Sequence, residues 1–318
     1  MQQRVNIIYF LLIIVLLSNC RTMNSFSVVV EKIELLDSLP SGSGLVHFND
    51  IIYIIGDDAT QLYKLNPSES SFSGIPLNNM GTEYRINKPD KHDFESLEIL
   101  DIRNEPHLIA FGSGSLSPQR DFLLVVNCKN EKIQQLISLE LLYTLLKQQA
   151  GGKKILNIEG AVITGEKLYL MDRENDILFE IELEEFRKYI LSNGNHKVST
   201  VKIYSLQLPS DEGLIAGISG GCALSENKIL FCASLEDTPN AIDDGVVKGS
   251  YIGIISLRDG NILTAVLLKD EQGIVIPDKI ESIDIVGKND DGTLKAFAVA
   301  DNDDGSSKFY QLKISYSQ

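Results

Sequence analysis

Between Glu159 and Asp172 apolar and polar residues alternate on both sides of Gly165-Glu166, which predicts two antiparallel strands joined by a tight turn. Further strand-like runs at 177–183 and 198–208 make the unit four strands long. The unit recurs. Residues 43–55 repeat its hairpin without a gap around Asn49-Asp50, and residues 220–232 repeat it around Glu226-Asn227. Longer hairpins open at Glu95 and Glu281, so the unit starts are spaced by 52 to 64 residues. Third strands are expected at 61–65, 122–127, 177–183, 251–257 and 309–314. Fourth strands are expected at 71–77, 133–139, 198–208 and 262–268, and the fifth unit runs out of chain before its own. The strand-like run at 27–36 precedes the first unit and fills that vacant place.

Radial four-stranded units with protected edges predict an all-β fold, a five-bladed β-propeller whose last blade is closed by an N-terminal strand. Six blades is the alternative if two units are merged. Helical spacing at 139–149 and 183–191 adds two short insertions, each followed by glycine. With the turn at Glu226-Asn227, Cys222 pairs with Phe231 and Cys232 faces the other way, because side chains alternate along a strand. Cys128, Cys222 and Cys232 are therefore expected as small buried apolar residues rather than disulfides.

The N-terminus breaks the pattern. Arg4 precedes an apolar run of eleven residues, 7–17, which as a helix extends about 17 Å against the roughly 30 Å of a bilayer core. Such a run predicts a signal peptide over 1–19. It ends in Leu17-Ser18-Asn19-Cys20, which resembles a bacterial lipobox, with Cys20 as the lipidated residue, although Asn19 stands where a smaller residue is usual. Residues 20–26 are then a tether and 27–318 the propeller domain. The expected location is the bacterial cell envelope, lipid-anchored, periplasmic or surface-exposed, with the membrane as one partner.

Net charge changes the list of partners. With 44 acidic against 29 basic residues, the formal charge is −15, which argues against nucleic acid. The first strand of each blade lines the channel of a propeller, so Ser43, Glu95, Glu159, Gly220 and Glu281 are expected at one mouth. Glu95, Glu159 and Glu281 would repel one another unless a cation sat among them, and oxygen ligands of this kind suit Ca²⁺. Acidic turns at 56–58, 172–176 and 301–305 join that face, where Asp and Asn also serve ordinary turn chemistry. His92 and Asp93 enter just before Glu95 as a candidate acid/base pair. His47 falls at the opposite end, and His107 and His196 in connections. The Gly/Ser-rich loop 111–121 offers Ser113, Ser115 and Arg120 to a small anionic molecule. The sequence holds no G-x-S-x-G and no H-E-x-x-H.

The segments Asp93-Phe94-Glu95-Ser96-Leu97, Ile158-Glu159-Gly160 and Ile280-Glu281-Ser282-Ile283, with the Phe-Gly-Ser-Gly-Ser loop, resemble bacterial β-propeller lipoproteins of uncharacterised function. More distantly they are similar to esterase-like phytase-type and gluconolactonase-type propellers. The resemblance implies a central Ca²⁺ held by channel-mouth acids, which transfers only to Glu95, Glu159 and Glu281. Two readings follow: a propeller that binds a small ligand, an envelope protein or a glycan at this mouth, or a Ca²⁺-dependent hydrolase of a small ester, lactone or phosphoester.

Overall fold

A computed structural model describes residues 26–67, 71–77, 84–152, 155–237, 245–302 and 304–316. The expected signal peptide and Cys20 lie outside this set. Among the described residues no helix is long and apolar enough to cross a membrane.

Strand β1 (Phe26–Leu36) comes first in the chain but belongs to the last blade. Blade one is β2 (Gly42–Phe48), β3 (Ile51–Gly56), β4 (Gln61–Asn66) and β5 (Ser71–Pro76). Blade two is β6 (Phe94–Ile102), β7 (Glu105–Gly112), β8 (Phe122–Asn127) and β9 (Lys132–Ser138). Helix α1 (Glu140–Gln149) leads to blade three, made of β10 (Ile158–Thr164), β11 (Lys167–Asp172), β12 (Ile177–Glu182) and β13 (Val201–Ser205). Within it, helix α2 (Leu183–Leu191) separates the last two strands. After a small hairpin, β14 (Ser210–Asp211) and β15 (Leu214–Ile215), blade four is β16 (Gly217–Ser225), β17 (Lys228–Asp237), β18 (Val246–Ser256) and β19 (Ile262–Leu267). Blade five is β20 (Lys279–Lys288), β21 (Leu294–Asp301) and β22 (Ser307–Tyr316), completed by β1. The described chain is thus a propeller of five four-stranded blades, and β1 pairs antiparallel with β22 from Phe26↔Tyr316 to Leu36↔Ser307.

The core explains why the second strands read as almost continuous apolar runs. Each blade is covered on both faces, so both sides of its middle strands are buried. Ile52 and Ile54 pack toward blade five, while Tyr53 and Ile55 between them pack toward blade two. In β11, Leu168 and Leu170 face blade two while Tyr169 and Met171 face blade four. Five apolar clusters result, one at each junction between neighbouring blades. Each fully buried Leu, Ile or Phe stabilises by about 1.5–3 kcal/mol relative to exposure. The helices fill the rim between blades two and three, where Phe186 stacks on Phe111 with ring centroids 5.5 Å apart.

Nearest the axis the packing is of backbone. In every blade the inner strand carries a β-bulge at the same rung: the register skips Ser43, Glu95, Glu159, Ser219 and Glu281. The residue after each bulge is small: Gly44, Ser96, Gly160, Gly220 and Ser282. A Cβ on Gly44 would lie 2.8 Å from the Leu97 backbone nitrogen of the next blade, and one on Gly160 would lie 3.2 Å from the Gly220 Cα. The Leu45 N–H donates to Ser282 Oγ at 3.1 Å, which closes the ring between blades five and one.

These bulges correct the expected register. The fourth mouth position is Ser219, not Gly220, because the bulge falls one residue earlier than the hairpin turn suggested. A second irregularity between Ala223 and Ser225 shifts the tip of the same hairpin. Cys222 consequently pairs with Leu230 rather than Phe231, and it shares an apolar cluster with Cys232 instead of facing away from it, both as free thiols. His107 is in strand β7 rather than a connection, buried, with Nδ1 donating to the Glu105 carbonyl oxygen at 2.8 Å. The fourth strand of blade three is shorter than expected, at Val201–Ser205.

At Gly220 an added Cβ would fall inside contact distance of the Glu281 carbonyl oxygen, and at Gly287 it would meet nothing within 4 Å. Gly220→Ala is expected to cost about 1–3 kcal/mol, the range for overpacking a close contact, while Gly287→Ala leaves stability nearly unchanged. Denaturant unfolding of the two variants checks this, and equal midpoints would remove the backbone-contact explanation.

Candidate functional site

Three ladder positions repeat at the mouth of all five blades. Two residues before each bulge stand Ser41, Asp93, Asn157, Gly217 and Lys279. Opposite them stand Asp57, Ser113, Arg173, Ser234 and Asp301, the first three donating backbone N–H to Ser41, Asp93 and Asn157 at 2.9–3.1 Å. The last two pair in register with Gly217 and Lys279. The bulge residues form the third ring. A bulge leaves its residue outside the ladder and re-aims the side chain, which is how Ser43, Glu95, Glu159 and Glu281 all come to line one cavity of about 390 Å³. Ile86 is the one apolar residue among the described lining; the rest is charged or polar.

Three of the four cations that line the mouth are held by acids of the same chain, while the exposed Lys88 has no such partner among the described residues. Lys91 Nζ donates to Asp57 and lies 2.7 Å from Asp93 Oδ1. Arg85 Nε donates to Asp58 at 2.6 Å, and its Nη2 donates to Ser41 Oγ at 3.1 Å. Lys279 lies 2.8 Å from Glu281 and 3.6 Å from Glu236, and Arg173 Nη2 donates to Glu236 at 2.8 Å. Burial works against the Lys91 ammonium, yet Asp57, Asp93 and Glu95 together raise its pKa. Burial likewise opposes the Asp93 carboxylate, and Lys91 and Arg120 overcome it to hold the pKa below its ordinary value.

The bulge carboxylates behave differently. Burial pushes Glu95 well above the usual carboxylate range, and Asp93, Glu159 and Asp57 push the same way. Burial also raises Glu159 to about 8; Arg173 opposes the shift and Glu281 adds to it. Glu281 is raised by burial against the pull of Lys279 and Arg173. Some carboxylate oxygens are left over: Asp57 Oδ1, Asp58 Oδ1 and Glu281 Oε2 are buried without a hydrogen-bond partner among the described residues.

The sequence-predicted residues are distributed over this arrangement unevenly. The carboxylates whose oxygens fall within 4.8 Å of one another are Asp57, Asp93 and Glu95, a set that includes neither Glu159 nor Glu281. Asp93 lies behind the cavity wall, 3% exposed, and is the hub of the Gly/Ser-rich loop. Arg120 Nη1 donates to it at 2.7 Å, Ser115 Oγ donates at 3.2 Å, and Ser113 Oγ donates as well. The anion that this loop holds in the structure is therefore the Asp93 side chain. His92 turns to the rim, its ring 4.9 Å from Phe122 and 5.6 Å from Phe94, with Nδ1 against the Gln119 carbonyl oxygen at 2.9 Å. Lys279, Arg85 and Ser219 were not legible as mouth residues from charge or hairpin patterning. The repeated x-apolar-[Glu/Ser]-[Gly/Ser] stretch is the signal that finds Lys279 and Ser219, since it aligns Gly217-Ile218-Ser219-Gly220 and Lys279-Ile280-Glu281-Ser282 with Asn157-Ile158-Glu159-Gly160.

The Glu159 shift carries a pH dependence. Its folded pKa, near 8, lies above the unfolded carboxyl value, so its stabilising effect is complete below about pH 4 and is lost as pH rises through 8. Wild-type stability is expected to fall between pH 5 and pH 9 by on the order of a few kcal/mol, and Glu159→Gln is expected to flatten the curve. Denaturant unfolding at pH 5.5, 7 and 8.5 measures it. A variant curve parallel to the wild type would show that Glu159 does not titrate in this range.

Comparison with known proteins supports the fold. Solved structures of Myxococcus xanthus glutaminyl cyclase (TM-score 0.51, 11% identity, 92% of this chain and 97% of that chain) and Streptomyces coelicolor aldose sugar dehydrogenase in its PQQ-bound form (TM-score 0.50, 11% identity, 92% and 99%) are similar. So is regucalcin, a calcium-binding protein from Agrobacterium tumefaciens, at TM-score 0.45 and 10% identity over 88% of this chain and 94% of that one. No curated protein matches the chain by sequence. Residues 38–314 match the group described as "Family of unknown function (DUF6929)", and the chain belongs to that family.

Proposed function

We propose that the chain is an exported, lipid-anchored propeller that binds a small polar ligand in the mouth cavity. One observation carries this reading. Five inner strands give up a ladder pair at the same rung, and three of the residues so released are glutamates that line one cavity, Glu159 and Glu281 buried and Glu95 half-buried. Burying acids with raised pKa values works against stability, and such groups concentrate where a protein binds or reacts. A channel that only needed plugging would take apolar side chains at no such cost. The lining suits a ligand rich in polar groups, and the anchor at Cys20 would hold that cavity at the membrane face of the envelope.

The second reading, a Ca²⁺-dependent hydrolase, is favoured by the close approach of Asp57, Asp93 and Glu95. Their oxygens are the right donor type for a hard cation, and Asp57 Oδ1 has no partner among the described residues. The fit fails at one point: the Lys91 ammonium already contacts Asp57 and Asp93, so two of the three acids are compensated by a fixed cation. No hydrolytic step is derived through an ion there, and His92 at the rim offers no acid/base contact with the cavity.

Calorimetric titration of the full chain in detergent with CaCl₂ separates the readings. The binding reading expects no stoichiometric Ca²⁺ uptake; saturable uptake lost in Asp57→Asn would instead favour the hydrolase. Anchoring is checked separately by labelling cells with palmitate. Label is expected on the wild type and absent from Cys20→Ala, and equal labelling excludes the anchor.

A further inference from the structure

Resting on that binding reading, we infer that the mouth cavity takes a small organic cation, a primary amine whose ammonium is received by the bulge glutamates Glu95, Glu159 and Glu281. The first support is the imbalance of hydrogen-bonding groups. Lys91, Lys279 and Arg85 already donate to, or lie in ion-pair contact with, acids of the chain. Of the lining cations only the exposed Lys88 lacks an acid partner among the described residues, whereas three lining carboxylates each keep a buried oxygen without a hydrogen-bond partner. Glu281 is 4% exposed, lines the cavity and leaves Oε2 without a partner among the described residues, and Asp57 Oδ1 and Asp58 Oδ1 stand likewise. A ligand that satisfies them brings donors, and the six lining carboxylates against four lining cations favour one of positive charge.

The choice among donors follows from how the wall is built. A Ca²⁺ ion needs six to eight oxygens at about 2.3–2.6 Å, and the one carboxylate set that converges holds Lys91 against two of its members. An ammonium offers three N–H groups to acceptors spread around it. The mouth receives that group twice already, as Lys91 between Asp57 and Asp93 and as Lys279 between Glu281 and Glu236. A neutral polyol satisfies the acceptors but leaves the mutual repulsion of the glutamates in place. The 390 Å³ cavity has room for an amine of amino-sugar or diamine size.

Calorimetry of the full chain in detergent tests this with matched probes: glucosamine against N-acetylglucosamine, and 1,4-diaminobutane against 1,4-butanediol. The amines are expected to bind at least tenfold tighter than their neutral partners. Glu281→Gln and, should that variant not fold, Glu159→Gln are expected to weaken amine binding at least tenfold. Equal binding of the neutral partners overturns the amine assignment while leaving a binding mouth, whereas Ca²⁺ binding in place of the amines counts against both. Absence of heat from every probe overturns both.

Discussion

Five inner strands can meet around one axis only where almost nothing stands between neighbouring backbones, and Gly44, Ser96, Gly160, Gly220 and Ser282 meet that condition. Gly160 abuts the Gly220 backbone, Gly220 abuts Glu281 and Ser282, and Ser282 accepts the Leu45 N–H. The bulge immediately before each small residue follows from the same crowding. Tight approach at one rung leaves no place for the preceding side chain in the ladder, so that side chain is directed up into the mouth. Packing thereby creates five released positions before any chemistry is placed on them, and four of them line the mouth cavity while the Ser219 hydroxyl donates to the Ile280 carbonyl oxygen. Residue choice at those positions is then free of the fold, and three of the five are glutamate.

The charges that occupy this ring do not act independently. Asp93, just before β6, and Glu95 within it are two residues apart, yet their pKa values move in opposite directions. Asp93 receives Lys91, Arg120 and the Ser113 hydroxyl, which together outweigh its burial. Being ionised, it then repels Glu95, which is desolvated as well and gets only a smaller share of Lys91. Removing one partner of a buried ion pair typically costs about 3–5 kcal/mol, so Lys91 and Arg120 are structural necessities of an ionised Asp93. The Gly/Ser-rich loop belongs to this frame: its hydroxyls and Arg120 converge on a carboxylate that the chain itself supplies.

Blade number, strand order and the N-terminal closure were readable because each rests on a period of two with turns between. Ile52 to Ile55 alternate between two blade junctions, and a run apolar on both faces still betrays a middle strand by its flanking turns. Register at the axis was not readable from turns. A bulge adds a residue that no alternation rule counts, so Ser219 was hidden behind Gly220 and Cys222 was assigned to the wrong side of its strand. The three glutamates were legible as mouth residues, since a repeated strand Glu has no turn chemistry to explain it. Their compensation was not. Arg85 reaches the mouth from a segment whose sequence gives no sign of it, Lys279 is marked only by its place in the repeated stretch, and Asp57 pairs with Lys91 across 34 residues. Which acids remain unpaired is decided by those distant partners.

A comparison within the channel shows why the unpaired oxygens at the mouth carry weight. Three residues beyond the bulge, Glu98 and Asp284 are also carboxylates inside the propeller, raised by burial to about 8 and about 6. Each is used: Glu98 accepts the Ile163 N–H of the next blade at 3.2 Å, and Asp284 accepts the His47 N–H of blade one at 2.7 Å. A buried acid that staples one inner strand to its neighbour is explained by the fold. Glu281 Oε2 and Asp57 Oδ1 have the same chemistry and comparable burial but no such partner among the described residues. Leaving a buried acceptor unsatisfied costs about 1–3 kcal/mol, and the packing of the blades gives no reason to bear it. The difference between the two layers is the difference between an acid that holds the ring closed and one left for something that enters it.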